Sequence, residues 1–269
     1  MNIAGIEQFF AARADTSLIF VSKAGDDAND GSSLNPFLTI TAALAAVTTS
    51  RKTIMVTPGE YEEAASLVWP SIGGIKIVAI GEVTIRGTDG EDEVILINPT
   101  VQTATFEATL SGDISISAPD GVDGITFDNE NVGRKINLYL KGNVQFENDT
   151  ETDKAINVVH TDADEAMRIY CDGQRGIVEG VLAIAPKNVD DRFFFTGMQF
   201  DGGMAWGTAT IASLSMFKNC IVKDGGGSGG QDTQIIAVLN CHSLTGTTFA
   251  IAALADFASN AAEVILPAA

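Results

Sequence analysis

"DDANDGSSLNPFLTITAALAAV" (residues 26–47) sets an acidic, turn-forming run directly against an alanine-rich apolar one. Asp26, Asp27, Asn29, Asp30 and Gly31 are turn formers: the short polar side chains bond nearby backbone, and glycine accepts positive φ. Asn35-Pro36 keeps the chain extended, because the residue before a proline avoids the helical region. From Thr39 the run "TITAALAAV" puts Ile40, Leu44 and Val47 on one face, which predicts a helix of about two and a half turns. The carboxylates also invite a calcium reading. A helix–loop–helix calcium site needs oxygen ligands at alternate loop positions and a closing glutamate. Counted from Asp26, Ala28 and Phe37 stand where ligands are required, so the segment reads as a solvated turn.

On either side of this stretch lie two short apolar runs. "SLIFVS" (17–22) reads as a strand, and "TIMVTPGEYEE" (53–63) as a buried strand ended by Pro58-Gly59. Before them, Ile3, Ile6, Phe9 and Phe10 fall at helical spacing within residues 3–14. That segment either seals the end of its own chain or docks on a partner.

After residue 63 the sequence is strands and turns, with a recurring motif: a large apolar residue, a polar one, then Asn, Asp or Gly. Its apolar positions are Ile85, Phe106, Phe127, Phe146, Tyr170, Phe200, Phe217 and Leu239, separated by 21, 21, 19, 24, 30, 17 and 22 residues. A coil of short strands and turns returns above its start after about twenty residues, stacking at the ordinary ~4.8 Å interstrand distance. Asn or Gly at the corner accepts a left-handed bend. The expectation is that Phe106, Phe127 and Phe146 stack on one another inside. A β-sandwich would instead show hairpin turns at 8–12-residue spacing.

"FVSKAGDDANDGSSLNPFLTITAALAAV" (20–47) followed by "TIMVTPGEYEE" resembles the N-terminal cap of right-handed parallel β-helix proteins of the pectin-lyase-like superfamily. In those chains a strand, a D/N/G-rich loop, an N-P-F-x-T-I segment and a short helix precede a strand ending P-G-x-Y. The resemblance implies an all-β fold: a right-handed single-stranded parallel β-helix of about nine coils with a short N-terminal helical cap. The expected organisation is residues 1–52 as N-terminal segment and cap, 53–258 as β-helix and 259–269 as tail. A helix across the end coil would block further stacking.

Composition narrows the chemistry. The chain has 269 residues, 27 of them glycine, with 16 basic against 35 acidic side chains and a net charge of −19. That field repels phosphate backbones, so no nucleic-acid partner is expected. No stretch reaches the ~18 apolar residues of a membrane helix, so no membrane partner is expected either, and the N-terminus lacks the basic and apolar regions of an export signal. Cys171, Cys220 and Cys241 form no zinc spacing and read as buried thiols. "DGGGSGG" (224–230) lacks the ending of a phosphate loop and reads as an excursion from one coil.

The superfamily includes polysaccharide lyases, glycoside hydrolases and non-catalytic virion proteins, so the fold does not decide the function. The hydrolase pattern needs G-H-G and R-I-K beside paired aspartates. Here Asp190-Asp191 stands without them, and the two histidines are His160 and His242. No catalytic residue, metal site or cofactor is expected. One feature keeps cation or carbohydrate binding open: with the coils in register, Glu107, Asp128 and Glu147 would form an outward column of carboxylates.

The expected function is that of a virion structural protein, a capsid decoration or cement protein of a tailed phage, made in the host cytoplasm. The alternatives are a short tail fibre or receptor-binding spike and, third, a polysaccharide lyase or glycoside hydrolase. The expected partners are further copies of the chain, as a homotrimer, and the major capsid protein or another virion protein. Docking would use Ile3, Ile6, Phe9 and Phe10 at one end, or Val264, Ile265 and Leu266 at the other.

Overall fold

A computed structural model describes residues 17–100, 105–129, 135–149, 153–160, 166–173, 177–184, 186–201, 204–206, 213–222, 227–229, 235–239 and 241–243. Three walls of parallel strands coil around one apolar interior.

Wall 1 is built, in stacking order, from β1 (Leu18–Val21), β2 (Thr53–Val56), the first half of β5 (Ile75–Arg86), the first halves of β7 (Phe106–Ala118) and β9 (Ile136–Asn148), β11 (Met167–Gly173), β14 (Arg192–Thr196), β17 (Leu214–Lys218) and β20 (Ile235–Leu239). Wall 2 contains β3 (Gly59–Glu62), the second halves of β5, β7 and β9, and then β12 (Ile177–Val178), β15 (Gln199–Phe200), β18 (Ile221–Val222) and β21 (His242–Ser243). Wall 3 runs through β4 (Leu67–Val68), β6 (Glu93–Ile97), β8 (Asp123–Asp128), β10 (Lys154–Val159), β13 (Val181–Ile184), β16 (Met204–Trp206) and β19 (Gly227–Gly229). Every strand pairing among these residues is parallel. The protein is an all-β parallel β-helix.

Walls 1 and 2 meet at a glycine corner. Gly112 and Gly142 pair with each other at φ 109° and 87°, and Gly173 pairs above Gly142. A Cβ on Gly142 would sit 2.8 Å from the carbonyl oxygen of Gly112, so the corner has room for hydrogen alone. At the last described corner Asn219 takes the same left-handed conformation, with φ 54°.

Inside, side chains stack by type. On wall 1 Ile54, Ile77, Leu110, Leu140, Cys171, Phe195 and Phe217 pair in succession, all buried. The Phe195 and Phe217 rings stack at 5.3 Å, and Phe200 of wall 2 meets both edge-on at 5.7 and 5.8 Å.

The expected register of the phenylalanines does not hold. Phe106 pairs with Ile136 on wall 1, Phe127 with Ile97 and Val158 on wall 3, and Phe146 with Ile116 and Val178 on wall 2. The motif recurs at different corners of a three-walled coil, so a separation of about twenty residues is less than one turn in the middle of the stack. The chain takes 30 residues to return from Phe106 to Ile136 and 31 from Ile136 to Met167. The coils on either side of that middle are shorter, with 23 residues from Thr53 to Lys76, 24 from Arg168 to Arg192 and 22 from Arg192 to Leu214. Three of the expected positions do share one interior ladder: Ile85, Phe146 and Phe200, interleaved with Ile116 and Val178.

Among the described residues the stack includes β1 as well, which pairs with β2 along its whole length. Between them lies α1 (Ile40–Ala45), shorter than its apolar pattern suggested, burying Ile40, Ala43 and Leu44. Its N-terminal N–H groups are taken by carboxylates from outside the helix. Asp27 Oδ1 accepts from the Leu38 and Thr39 N–H groups at 2.9 Å, and Glu63 accepts from Ile40 N at 2.8 Å and from the Thr41 hydroxyl at 2.7 Å. The acidic loop thus serves the backbone: Asp26 and Asp30 close turns onto Ala28 and Ser32. Gly227–Gly229, expected in an excursion, instead continue wall 3 beside Met204–Trp206.

Candidate functional site

The outward side of wall 1 carries three columns of side chains, set by strand alternation. The first column runs Glu107, Asn137, Arg168, Arg192, Leu214; the second Thr109, Tyr139, Tyr170, Phe194, Met216; the third Ser111, Lys141, Asp172, Thr196, Lys218. The second column is an aromatic ladder. Tyr139 and Tyr170 stack at 5.1 Å and 12°, and Tyr170 and Phe194 at 5.5 Å and 23°. All three rings are half-buried although they point away from the core. The Lys141 ammonium lies 5.0 Å from the Tyr139 ring centre, and Asn137 Nδ2 donates to the Tyr139 hydroxyl at 3.4 Å. Burial, then the nearby Glu107 and Tyr170, push the Tyr139 phenol up from its ordinary pKa.

Sequence reasoning missed this ladder and assigned Tyr170 to the interior. The signal that finds it is a hexapeptide aligned on the corner: "EATLSG" (107–112), "NLYLKG" (137–142), "RIYCDG" (168–173), "RFFFTG" (192–197) and "LSMFKN" (214–219). In each, the second and fourth residues face in and the first, third and fifth face out.

The expected carboxylate column is not formed. Glu107 stands outside wall 1 over Asn137, Glu147 outside wall 2 beside Ser117, and Asp128 ends a wall 3 strand beside Val159. Glu147 accepts from Gln145 Nε2 at 3.0 Å, an arrangement of its own wall. These residues do not converge on one ligand. Ile3, Ile6, Phe9, Phe10, Val264, Ile265 and Leu266 lie outside the described residues.

Two other polar clusters are structural. Asp191, expected to be solvated, is fully buried with His160 Nδ1 at 3.0 Å. Its carboxylate accepts from the backbone N–H groups of Met167 at 2.8 Å and of Lys187 and Asn188 at 3.0 Å, while Asp190 remains exposed. Sealed from solvent, the pair ties the crossing before β14 to the coil below. On wall 3 Glu93 pairs with Asp123, which receives Asn157 Nδ2 at 2.9 Å and the Lys154 ammonium at 3.4 Å. Burial raises the Glu93 pKa, reinforced by the Asp92 and Asp123 charges and opposed by hydroxyls of Thr126 and Ser66. Burial likewise drives the Cys171 thiol well above its ordinary range. Among the described residues no three His, Cys, Asp or Glu side chains group as metal ligands.

Residues 23–130 match a family described as a protein of unknown function (DUF1565). The matched segment spans α1 and the coils from β2 to β8 and ends before the aromatic ladder. No curated protein matches the chain.

Proposed function

We propose that this chain is a structural protein of a virus particle, an oligomeric decoration or cement protein on the capsid of a tailed phage, and that wall 1 is the flank through which its copies associate. The observation that carries the reading is the ladder of Tyr139, Tyr170 and Phe194. A sugar ring binds an aromatic side chain by lying on its face, but here both faces of Tyr170 and one face each of Tyr139 and Phe194 are covered by the neighbouring rings. What remains outward is a flat strip of ring edges, continued by Met216 and Leu214, which suits packing against another protein surface.

A non-catalytic role is further supported by the dispersal of Glu107, Asp128 and Glu147 over three walls and the complete burial of the His160–Asp191 pair. Placement on a virus particle rests on fold-level analogy with non-catalytic β-helix virion proteins. The charge of −19 disfavours a nucleic-acid partner. The apolar segment Ile3, Ile6, Phe9 and Phe10 is the proposed contact with the larger surface.

The test combines two measurements: the mass of the purified chain in solution, and immunodetection of the chain in purified particles. An oligomer found on particles is expected. A monomer absent from particles would sink the proposal and return attention to enzymes.

A further inference from the structure

The outward side of β11 carries Arg168, Tyr170 and Asp172 between the buried Ile169 and Cys171. Asp172 is exposed and Arg168 half-buried, and neither has a hydrogen-bond or ion-pair partner among the described residues. The Arg168 Nε is buried and unsatisfied. A guanidinium in that position is costly unless a carboxylate reaches it. Four residues apart on an extended strand, the two charges stand about 13 Å from each other, too far to pair within one chain. They lie symmetrically on either side of the aromatic ladder.

We propose that wall 1 is a two-fold self-association face, with two copies side by side and parallel, and with Arg168 of each copy opposite Asp172 of the partner subunit. The inference rests on the reading of wall 1 as an association flank and replaces the three-fold arrangement expected from sequence. A two-fold axis running along the stack keeps every coil at its own height and reverses the strand direction. The ladder then meets itself, Tyr170 to Tyr170 of the partner subunit and Phe194 to Phe194 of the partner subunit. The first column meets the third. Glu107 faces Ser111 of the partner subunit, Asn137 faces Lys141 of the partner subunit, and Arg192 faces Thr196 of the partner subunit; no rung sets like charges together.

The competing two-fold crosses the stack between β9 and β11 and runs the copies antiparallel. It pairs Glu107 with Arg192 and Lys141 with Asp172, but it lays Phe194 on Thr109 and Met216 on Lys76. Exposed ion pairs contribute little, whereas aromatic anchors dominate interface energy. Apolar matching therefore decides for the parallel pair.

The experiment is sedimentation of the full chain across concentration, with charge reversals. The wild type should sediment as two chains of 28.2 kDa. Arg168→Asp and Asp172→Arg alone should each weaken dimerisation at least about tenfold, and the double variant should recover most of the loss. Unaffected single variants, or a double variant without recovery, overturn the pairing; the antiparallel contact predicts no recovery, since Asp172→Arg would face Lys141. A wild-type trimer overturns the two-fold arrangement but leaves the association reading standing, and a monomer at all concentrations ends both. Should a reversal fail to fold, a benzophenone side chain at position 194 decides: cross-links to the 194 region of the second copy are expected, and cross-links near Thr109 refute the proposal.

Discussion

Glu93 shows how one side chain sets a pH dependence. Its pKa is raised by burial, so the folded state holds the proton more tightly than the unfolded chain. The stability that it contributes is therefore present below the unfolded carboxylate pKa, about 4.3, and is lost as pH rises through the folded value. Glu93→Gln keeps the polar contacts with Ser66 and Thr126 without the charge. It should raise the melting temperature at pH 7 and leave it nearly unchanged below about pH 4; an equal shift at both pH values would refute the assignment. Asp191 is a buried carboxylate with three backbone donors. Asp191→Ala leaves those N–H groups without their acceptor and should cost about 3–5 kcal/mol in denaturant unfolding. Phe127 is fully buried between Ile97 and Val158. Truncation to alanine should cost ~3–5 kcal/mol through the cavity that it opens.

At the scale of the element, the corner between walls 1 and 2 fixes which residues face outward. Gly112, Gly142 and Gly173 stack there because a Cβ would lie 2.7 Å from the Ala79 carbonyl oxygen at Gly112, 2.8 Å from the Gly112 carbonyl oxygen at Gly142, and 2.5 Å from Met198 Sδ at Gly173. Gly142→Ala would force a left-handed alanine against Gly112 and should destabilise the fold by at least ~1–3 kcal/mol, seen as a lowered denaturation midpoint. Asn219→Gly at the equivalent corner should be near neutral, since both residues accept positive φ. These corners also explain what could be read beforehand. The parallel stack was legible because turn residues recur among short apolar runs, and α1 because Thr39 precedes "ITAALA". The register was not, because Phe106, Phe127 and Phe146 mark three different walls, and a motif centred on aromatic residues cannot tell one wall from another. Aligned on the glycine instead, "NLYLKG" and "RIYCDG" put Tyr139 and Tyr170 on the outside. Asp191 was hidden differently: nothing in "NVDD" says that its second aspartate folds back onto Asn188 and His160.

At the scale of the whole molecule, net charge and local pairing pull in opposite directions. A chain of charge −19 is self-repelling, and exposed carboxylates such as Glu60, Glu62, Asp113 and Glu147 stand on wall 2, where Arg86 bridges to Glu60 at 3.5 Å. Screening shortens the reach of that repulsion from about 30 Å at 0.01 M salt to about 8 Å at 0.15 M. The fold itself should therefore gain stability with salt, its melting temperature rising between about 0.01 and 0.5 M sodium chloride. The contact on wall 1 responds to two competing effects. Salt relieves the general repulsion between two acidic copies, but it also screens the two symmetric Arg168–Asp172 pairs. Because the copies must first approach against their net charge, association should strengthen from the lowest salt to about 0.1–0.2 M and weaken beyond it, where only the pairs remain to be screened. Sedimentation across the same salt series checks this against the melting curve of the Arg168→Asp variant, taken at a concentration where it sediments as a single chain. A dimerisation constant that rises monotonically to about 1 M would mean that the flank is held by its ring edges alone, with the charges of β11 contributing nothing.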